Sequence, residues 1–216
     1  MRTDFHRVIA IDGPAASGKS SVARALARRL GFIYVNSGAI YRAITWHVLE
    51  RGIDPDDGAR VAQTVESARI HCVLQNNESR ILIDDVDPTD HLREDRVNDA
   101  VSRVSSVPRV RQILVAKMRS YAFNHDLVME GRDIGSVVFP LTPYKFYIDA
   151  SPEVRLRRRA AQGQRDEIAA RDRADSSRPT SPLVVAKDAH VLDTSNLTIE
   201  GVVDEILNRL KLKDLK

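Results

Sequence analysis

The segment Gly13-Pro14-Ala15-Ala16-Ser17-Gly18-Lys19-Ser20 carries the spacing G-x-x-x-x-G-K-[ST] in full. Each demand of that spacing has a chemical reason. Gly13 and Gly18 permit backbone conformations and close approaches that a side chain forbids. The intervening N–H groups can then turn inward around an anion, where the start of a helix adds partial positive charge. Lys19 is placed to reach the β- and γ-phosphates of a nucleoside triphosphate, and the Ser20 hydroxyl to ligate Mg²⁺. With Ser21, the run from Gly13 to Ser21 is the predicted nucleotide-binding loop, or P-loop.

Further residues suit a second phosphorylated ligand. Asn36-Ser37-Gly38-Ala39-Ile40-Tyr41-Arg42 sets a hydroxyl and an arginine beside a helix start. Val128-Met129-Glu130-Gly131-Arg132-Asp133 ends an apolar strand with Gly-Arg-Asp, where open α/β sheets place their ligands. Arginines 155, 157, 158 and 159, with 171, 173 and 178, form an arginine-rich stretch suited to a lid. Phosphoryl transfer needs such positive charge, because it runs on positioning and electrostatic stabilisation. Arg157 and Arg173 read as solvated members of that set. A regulatory GTPase would need an N-K-x-D motif, which the sequence lacks. A motor ATPase would end the strand in Asp-Glu rather than Glu-Gly-Arg-Asp. The six histidines have no metal-ligand spacing, and no serine–histidine–carboxylate set suggests a covalent nucleophile. A small-molecule kinase fits best.

The elements that must hold these residues alternate between short apolar runs and helical patterns, which predicts an α/β fold with a mostly parallel sheet. Val8 to Ile11 reads as a buried first strand, followed by a helix with Val22, Ala25, Leu26 and Leu30 on one face. Phe32 to Val35, Leu127 to Met129, Lys145 to Ile148 and Val191-Leu192 read as further strands. Gly38 to Glu50 reads as a helix, and Thr198 is expected to cap the last one, with Val202, Val203, Ile206 and Leu210 inward. Ile70 to Leu74 and Arg80 to Ile83, joined at Asn76-Asn77, read as small strands of an inserted lobe. Helical segments follow from about His91 to Ser105 and from Pro108 to Asn124. The 216 residues suit one domain, and a single cysteine, Cys72, excludes an intrachain disulfide. Apolar runs are too short to cross a bilayer, and the opening residues lack a signal peptide's apolar region. A cytoplasmic protein is expected. The net charge of +3 comes from 26 Arg and 7 Lys against 30 acidic residues. Arginine favours phosphate recognition, but a GC-rich genome produces the same excess. No RNA-binding aromatic pattern accompanies it, so a nucleic-acid partner is not expected.

Ile11-Asp12-Gly13-Pro14, Ser37 to Arg42, Gly131-Arg132-Asp133-Ile134-Gly135 and Val138-Phe139-Pro140 together resemble bacterial cytidylate kinase. Pro108 to Arg111, Ser181-Pro182-Leu183 and Val191 to Thr194 extend the likeness in the same order, over about Val8 to Leu207. The resemblance implies a P-loop NTPase fold as a single nucleoside monophosphate kinase domain, acting as a monomer. Its core would span about 1–37, 106–154 and 183–216, its monophosphate-binding region, with a small extra sheet, about 38–105, and its lid about 155–182. It implies transfer of the γ-phosphoryl of ATP to CMP or dCMP with Mg²⁺. Ser37, Arg42, Arg132 and Arg178 would hold the monophosphate; Asp133, Ser102 and Arg111 would read cytosine; Arg171 and Asp175 would contact the sugar. Lys19, Arg132, Arg155, Arg158 and Arg159 would act on the transferring group, and Ser20 with Glu130 would serve the metal. Two other readings stand at this level. Asp133 could instead pair with Arg132 or cap a turn, and Ser102 could be plain helix surface. The Gly163-Gln164-Arg165-Asp166 stretch makes the lid short for the family. Another nucleoside monophosphate or small-metabolite kinase is the alternative reading.

Overall fold

The computed structural model describes residues 6–161, 168–178, 181–212 and 215, with no account of the Arg171 side chain. The short-lid stretch at 163–166 lies outside the described residues.

Seven strands form one sheet in the order β3-β4-β2-β5-β1-β6-β7. They are β1 (Val8–Asp12), β2 (Ile33–Asn36), β3 (Ile70–Gln75), β4 (Glu78–Ile83), β5 (Leu127–Gly131), β6 (Tyr144–Asp149) and β7 (His190–Asp193). Strands β2, β5, β1, β6 and β7 run parallel. β1 and β5 are buried along their whole length, which is why they read as unbroken apolar runs rather than alternating ones. β1 lies between β5 and β6; the connection leaving β1 runs to β2 on one side, and that leaving the adjacent β5 runs to β6 on the other. The carboxyl end of β1 is therefore a topological switch point, where such sheets open a crevice.

Helices cover both faces. α1 (Lys19–Leu30) and α8 (Ile199–Lys211) pack on one, burying Val22, Leu26, Val202, Val203, Ile206 and Leu210 against Ile9, Ile11 and Phe146. α2 (Ser37–Glu50), α3 (Gly58–Ser67), α4 (Asp95–Ser106) and α5 (Pro108–Tyr121) pack on the other. The Thr198 hydroxyl caps α8 by accepting the Gly201 N–H at 3.1 Å, as its residue type suggests. Pro108 occupies the first turn of α5, where its missing N–H is not needed. α6 (Pro152–Ala161) and α7 (Ile168–Ser176) carry the arginine-rich stretch.

Two features depart from the pattern expected of the sequence. The hairpin β3–β4 turns through Asn76 and Asn77, both at positive φ, but it is not a detached small sheet. It joins the main sheet as an edge through the pairing of Tyr34 with Glu78, because Ile70, Ile81 and Ile83 bury against the same core as β5. α3 has no counterpart in the sequence reading. Only Val61 and Val65 are buried on it, too few for a clear period, although Asp57 caps it by accepting the Arg60 N–H at 3.0 Å.

Candidate active site

The crevice at the β1 switch point is lined on one side by Ala15, Ala16, Gly18, Lys19, Ser20 and Ser21 of the P-loop. Backbone sterics explain the loop's glycines. A Cβ on Gly13 would stand 2.1 Å from the Ile148 carbonyl oxygen, and Gly18 takes φ 92° at the start of α1. Lys19 is buried and its Nζ donates to the Pro14 carbonyl at 2.9 Å. Ser20 Oγ donates to Glu130 Oε1 at 2.7 Å, so these two expected metal-serving residues meet. Both are hard oxygen donors, as Mg²⁺ requires, and two protein oxygens suffice where phosphates and water complete the shell. Among the described residues no cluster of three or more His, Cys, Asp or Glu forms a self-sufficient metal site.

The opposite wall comes from α2, α4, α5 and the end of β5. Asn36 caps α2 by accepting the Ala39 N–H at 2.9 Å, which leaves the neighbouring Ser37 to donate to the Glu130 carbonyl at 2.8 Å. Arg42, one turn on, donates to Asn98 Oδ1 at 3.4 Å and reaches the cavity. Asp133 pairs with Arg111, not Arg132, and both are buried. Its side chain does not cap the following turn. Of the readings open for Asp133, the pair with Arg132 and the turn cap are therefore set aside. Arg111 also donates to the Ser105 carbonyl at 3.3 Å, and its guanidinium lies 5.3 Å from the Tyr41 ring centroid. Ser102, half-buried on α4, lines the same wall.

Asp175 binds two arginines at once, Arg132 through Oδ2 at 2.7 Å and Arg178 through Oδ1. All three line the cavity. Burial lowers the Arg178 guanidinium from its ordinary range, with the Asp175 charge holding it up. Tyr41 lines the cavity, and burial pushes its hydroxyl up to about 12, opposed by Arg111. Nothing among the described residues receives that hydroxyl. A buried polar atom of this kind expects a partner from solvent or ligand.

The lid arginines divide. Arg159 is buried and reaches the cavity wall. Arg155 turns to the P-loop instead, donating to the Ala15 carbonyl at 3.3 Å and pairing with Asp172, whose Oδ1 accepts the Ala15 N–H at 3.0 Å. Arg158 donates to the Ser17 carbonyl at 3.0 Å and the Thr194 carbonyl at 2.8 Å. Arg157 and Arg173 are exposed. Asp172 carried no role in the sequence reading, and neither did Tyr41, Asn36 or Ser105. Only the aspartate's place beside Arg171 hinted at it; the others become legible once the helices converge.

A family model described as "Cytidylate kinase" matches residues 9–212. A "Cytidylate kinase" of Limosilactobacillus reuteri (strain DSM 20016) is 40% identical over 215 residues, covering 94% of each chain. One from Caldanaerobacter subterraneus subsp. tengcongensis is 42% identical over 214 residues, again covering 94% of each. One from Mycobacterium leprae (strain Br4923) is 42% identical over 216 residues, covering 94% of this chain and 95% of its own.

Proposed function

The chain belongs to the cytidylate kinase family, and from that membership we propose that it transfers the γ-phosphoryl group of ATP to CMP and dCMP, giving ADP and CDP or dCDP. One observation carries the site assignment. The P-loop and two arginine–carboxylate groups, the buried Arg111–Asp133 pair and the Arg132–Asp175–Arg178 set with its half-buried arginines, line a single cleft. The donor triphosphate belongs on the loop from Gly13 to Ser21, and the monophosphate on Ser37, Arg42, Arg132 and Arg178.

The reaction needs no protein nucleophile. An oxygen of the bound CMP phosphate attacks the γ-phosphorus in line, and the bond to the β–γ bridging oxygen breaks as ADP leaves. Lys19 and Arg159, with Arg132 on the acceptor side, stabilise charge on the transferring group. Arg155 and Arg158 act through the loop, by fixing the Ala15 and Ser17 carbonyls. Ser20 and Glu130 would hold Mg²⁺, which supplies charge neutralisation on the phosphates when bound with ATP. Asp133 accepts a hydrogen bond from the cytosine amino group, with Ser102 and Arg111 beside it. Uracil presents a carbonyl oxygen there, and two acceptors then face each other. Asp175 orients both phosphate-binding arginines, and with Arg171 it contacts the sugar. Residues 38–105 are the monophosphate-binding region and 155–182 the lid of a single monomeric, cytoplasmic enzyme. Among the described residues, no helix is long and apolar enough to cross a membrane.

ADP release measured with CMP, dCMP, UMP, AMP and GMP tests this function. Cytidine monophosphates are expected to dominate kcat/KM, and UMP at parity with CMP would overturn the assignment of Asp133. Lys19→Ala is expected to lower kcat as well as raise the KM for ATP, because its charge follows the γ-phosphoryl group into the transition state. An unchanged kcat in that variant would reduce Lys19 to an anchor.

A further inference from the structure

Asp12 is the last residue of β1 and directly precedes the P-loop glycine Gly13, yet it does not line the cleft. It is 5% exposed, and both carboxylate oxygens are committed. Oδ1 accepts the Ile134 N–H at 2.8 Å and Oδ2 accepts the Gly135 N–H at 2.8 Å. These are the first two donors of the wide helical turn Ile134–Val138, which follows Arg132 and Asp133 at the end of β5. The turn closes on itself by i to i+5 bonds, Val138 N–H to the Asp133 carbonyl at 3.0 Å and Phe139 N–H to the Ile134 carbonyl at 2.7 Å.

A helical turn leaves its first N–H groups without partners inside the turn. An aspartate immediately before it, as Asp133 is, ordinarily supplies the cap. Here Asp133 stands at that position and makes no such bond, because its carboxylate is paired with Arg111 in the cleft. The cap comes from the neighbouring strand instead. We infer that Asp12 is a positioning residue for substrate specificity: by capping the 134–138 turn in place of Asp133, it frees Asp133 to read the base and ties the acceptor-reading Arg132–Asp133 segment to the root of the donor loop. Without this clamp Asp133 has two competing demands, its own turn's N–H groups and the base, and the turn's demand is the nearer one.

The substrate terms of this inference rest on the proposed CMP kinase activity, but its test separates the two. Asp12→Asn keeps the shape and turns one acceptor into a donor facing an N–H. At pH 8 the folded variant is expected to raise the KM for CMP about tenfold, as loss of a charge-assisted hydrogen bond implies. The KM for ATP should stay within about twofold, since the loop itself is untouched. The CMP to UMP ratio of kcat/KM should fall with it, and the Ile134 and Gly135 amides should be protected from exchange in the wild type and exchange freely in the variant. Should the asparagine chain not fold, Gly135→Ala presses on the same contact, its Cβ meeting Asp12 Oδ2 at 3.3 Å and Lys145 side-chain carbons at 3.2 Å. The same separation of the two KM values is expected. Equal changes in both KM values, no change in either, or unprotected 134 and 135 amides in the wild type would each overturn the clamp. Whether the wild type turns over CMP at all decides the activity, and the amide exchange decides the clamp regardless.

Discussion

Asp133 and Arg111 are both almost wholly buried, and neither charge is sustainable alone in that setting. Removing one partner of such a pair leaves the other uncompensated, at a cost of about 3–5 kcal/mol. Asp133→Asn is therefore expected to lower the thermal midpoint while exchanging an acceptor for a donor toward the base. A well-placed polar contact to a base edge discriminates by about 1–3 kcal/mol, so the CMP to UMP ratio should fall by roughly 5- to 150-fold. Ratios measured on the folded fraction check this, and an unchanged ratio would remove Asp133 from base reading. Asp12 makes a prediction in pH. Its burial pushes the carboxyl up to about 7, against the lowering pull of the Gly135 and Ile134 amides; the Asp133 charge adds to the rise and Lys19 opposes it. In the unfolded chain it titrates near 3.9, so between about pH 4 and 7 the folded state holds a proton that the unfolded state has released. That contribution is full below pH 4 and is lost as pH rises through 7. Denaturant titrations should show the wild type losing stability relative to Asp12→Asn across that window, by at most about 4 kcal/mol. A difference that does not vary with pH would mean Asp12 stays ionised throughout.

At the scale of elements, the lid helices α6 and α7 both meet the P-loop at the peptide groups of Ala15, and α6 also holds the Ser17 carbonyl through Arg158. Arg155 takes the Ala15 carbonyl, Asp172 takes the Ala15 N–H, and the two side chains pair with each other. This contact seats α7 against the loop, and α7 also carries Asp175, which holds Arg132 and Arg178. Lid position and acceptor-site geometry are thereby linked through a single helix of nine residues. A seated lid excludes water from the transferring group, which suppresses hydrolysis. Asp172→Ala should loosen that seat. The expected result is ATP hydrolysis in the absence of CMP rising several-fold while CMP phosphorylation falls. A variant with hydrolysis unchanged would show that the seat does not control water. Glu130 and Ser20 bring α1 and β5 together in the same manner on the donor side, which explains why a carboxylate is buried at the end of a core strand.

Across the whole molecule, cohesion is uneven. β1 pairs with β5 over five residues and with β6 over four, and its Ile9 to Ile11 segment has no exposure at all. The β3–β4 hairpin reaches the sheet through the single pairing Tyr34–Glu78, and most of β3 faces solvent. Native-state hydrogen exchange should therefore find the slowest amides in β1 and β5, with β3 opening at lower free energy. Equal protection in β1 and β3 would show the hairpin to be as integral as the centre. These contrasts bear on what was legible in advance. Local sequence determined the P-loop, the strand-then-helix context around it and the Thr198 cap. Each depends on neighbours within a few residues, where glycine sterics, apolar runs and capping hydroxyls act directly. It also placed Asp133 and Arg111 in the same site through a family likeness. It left open which partner Asp133 takes, missed α3 with its two buried valines, and assigned nothing to Asp12 or Asp172. Those outcomes hang on contacts spanning 122 residues from Asp12 to Ile134 and 157 from Ala15 to Asp172. A carboxylate's role is set by whichever donors the fold brings within 3 Å, and only the packed sheet and helices decide which donors those are.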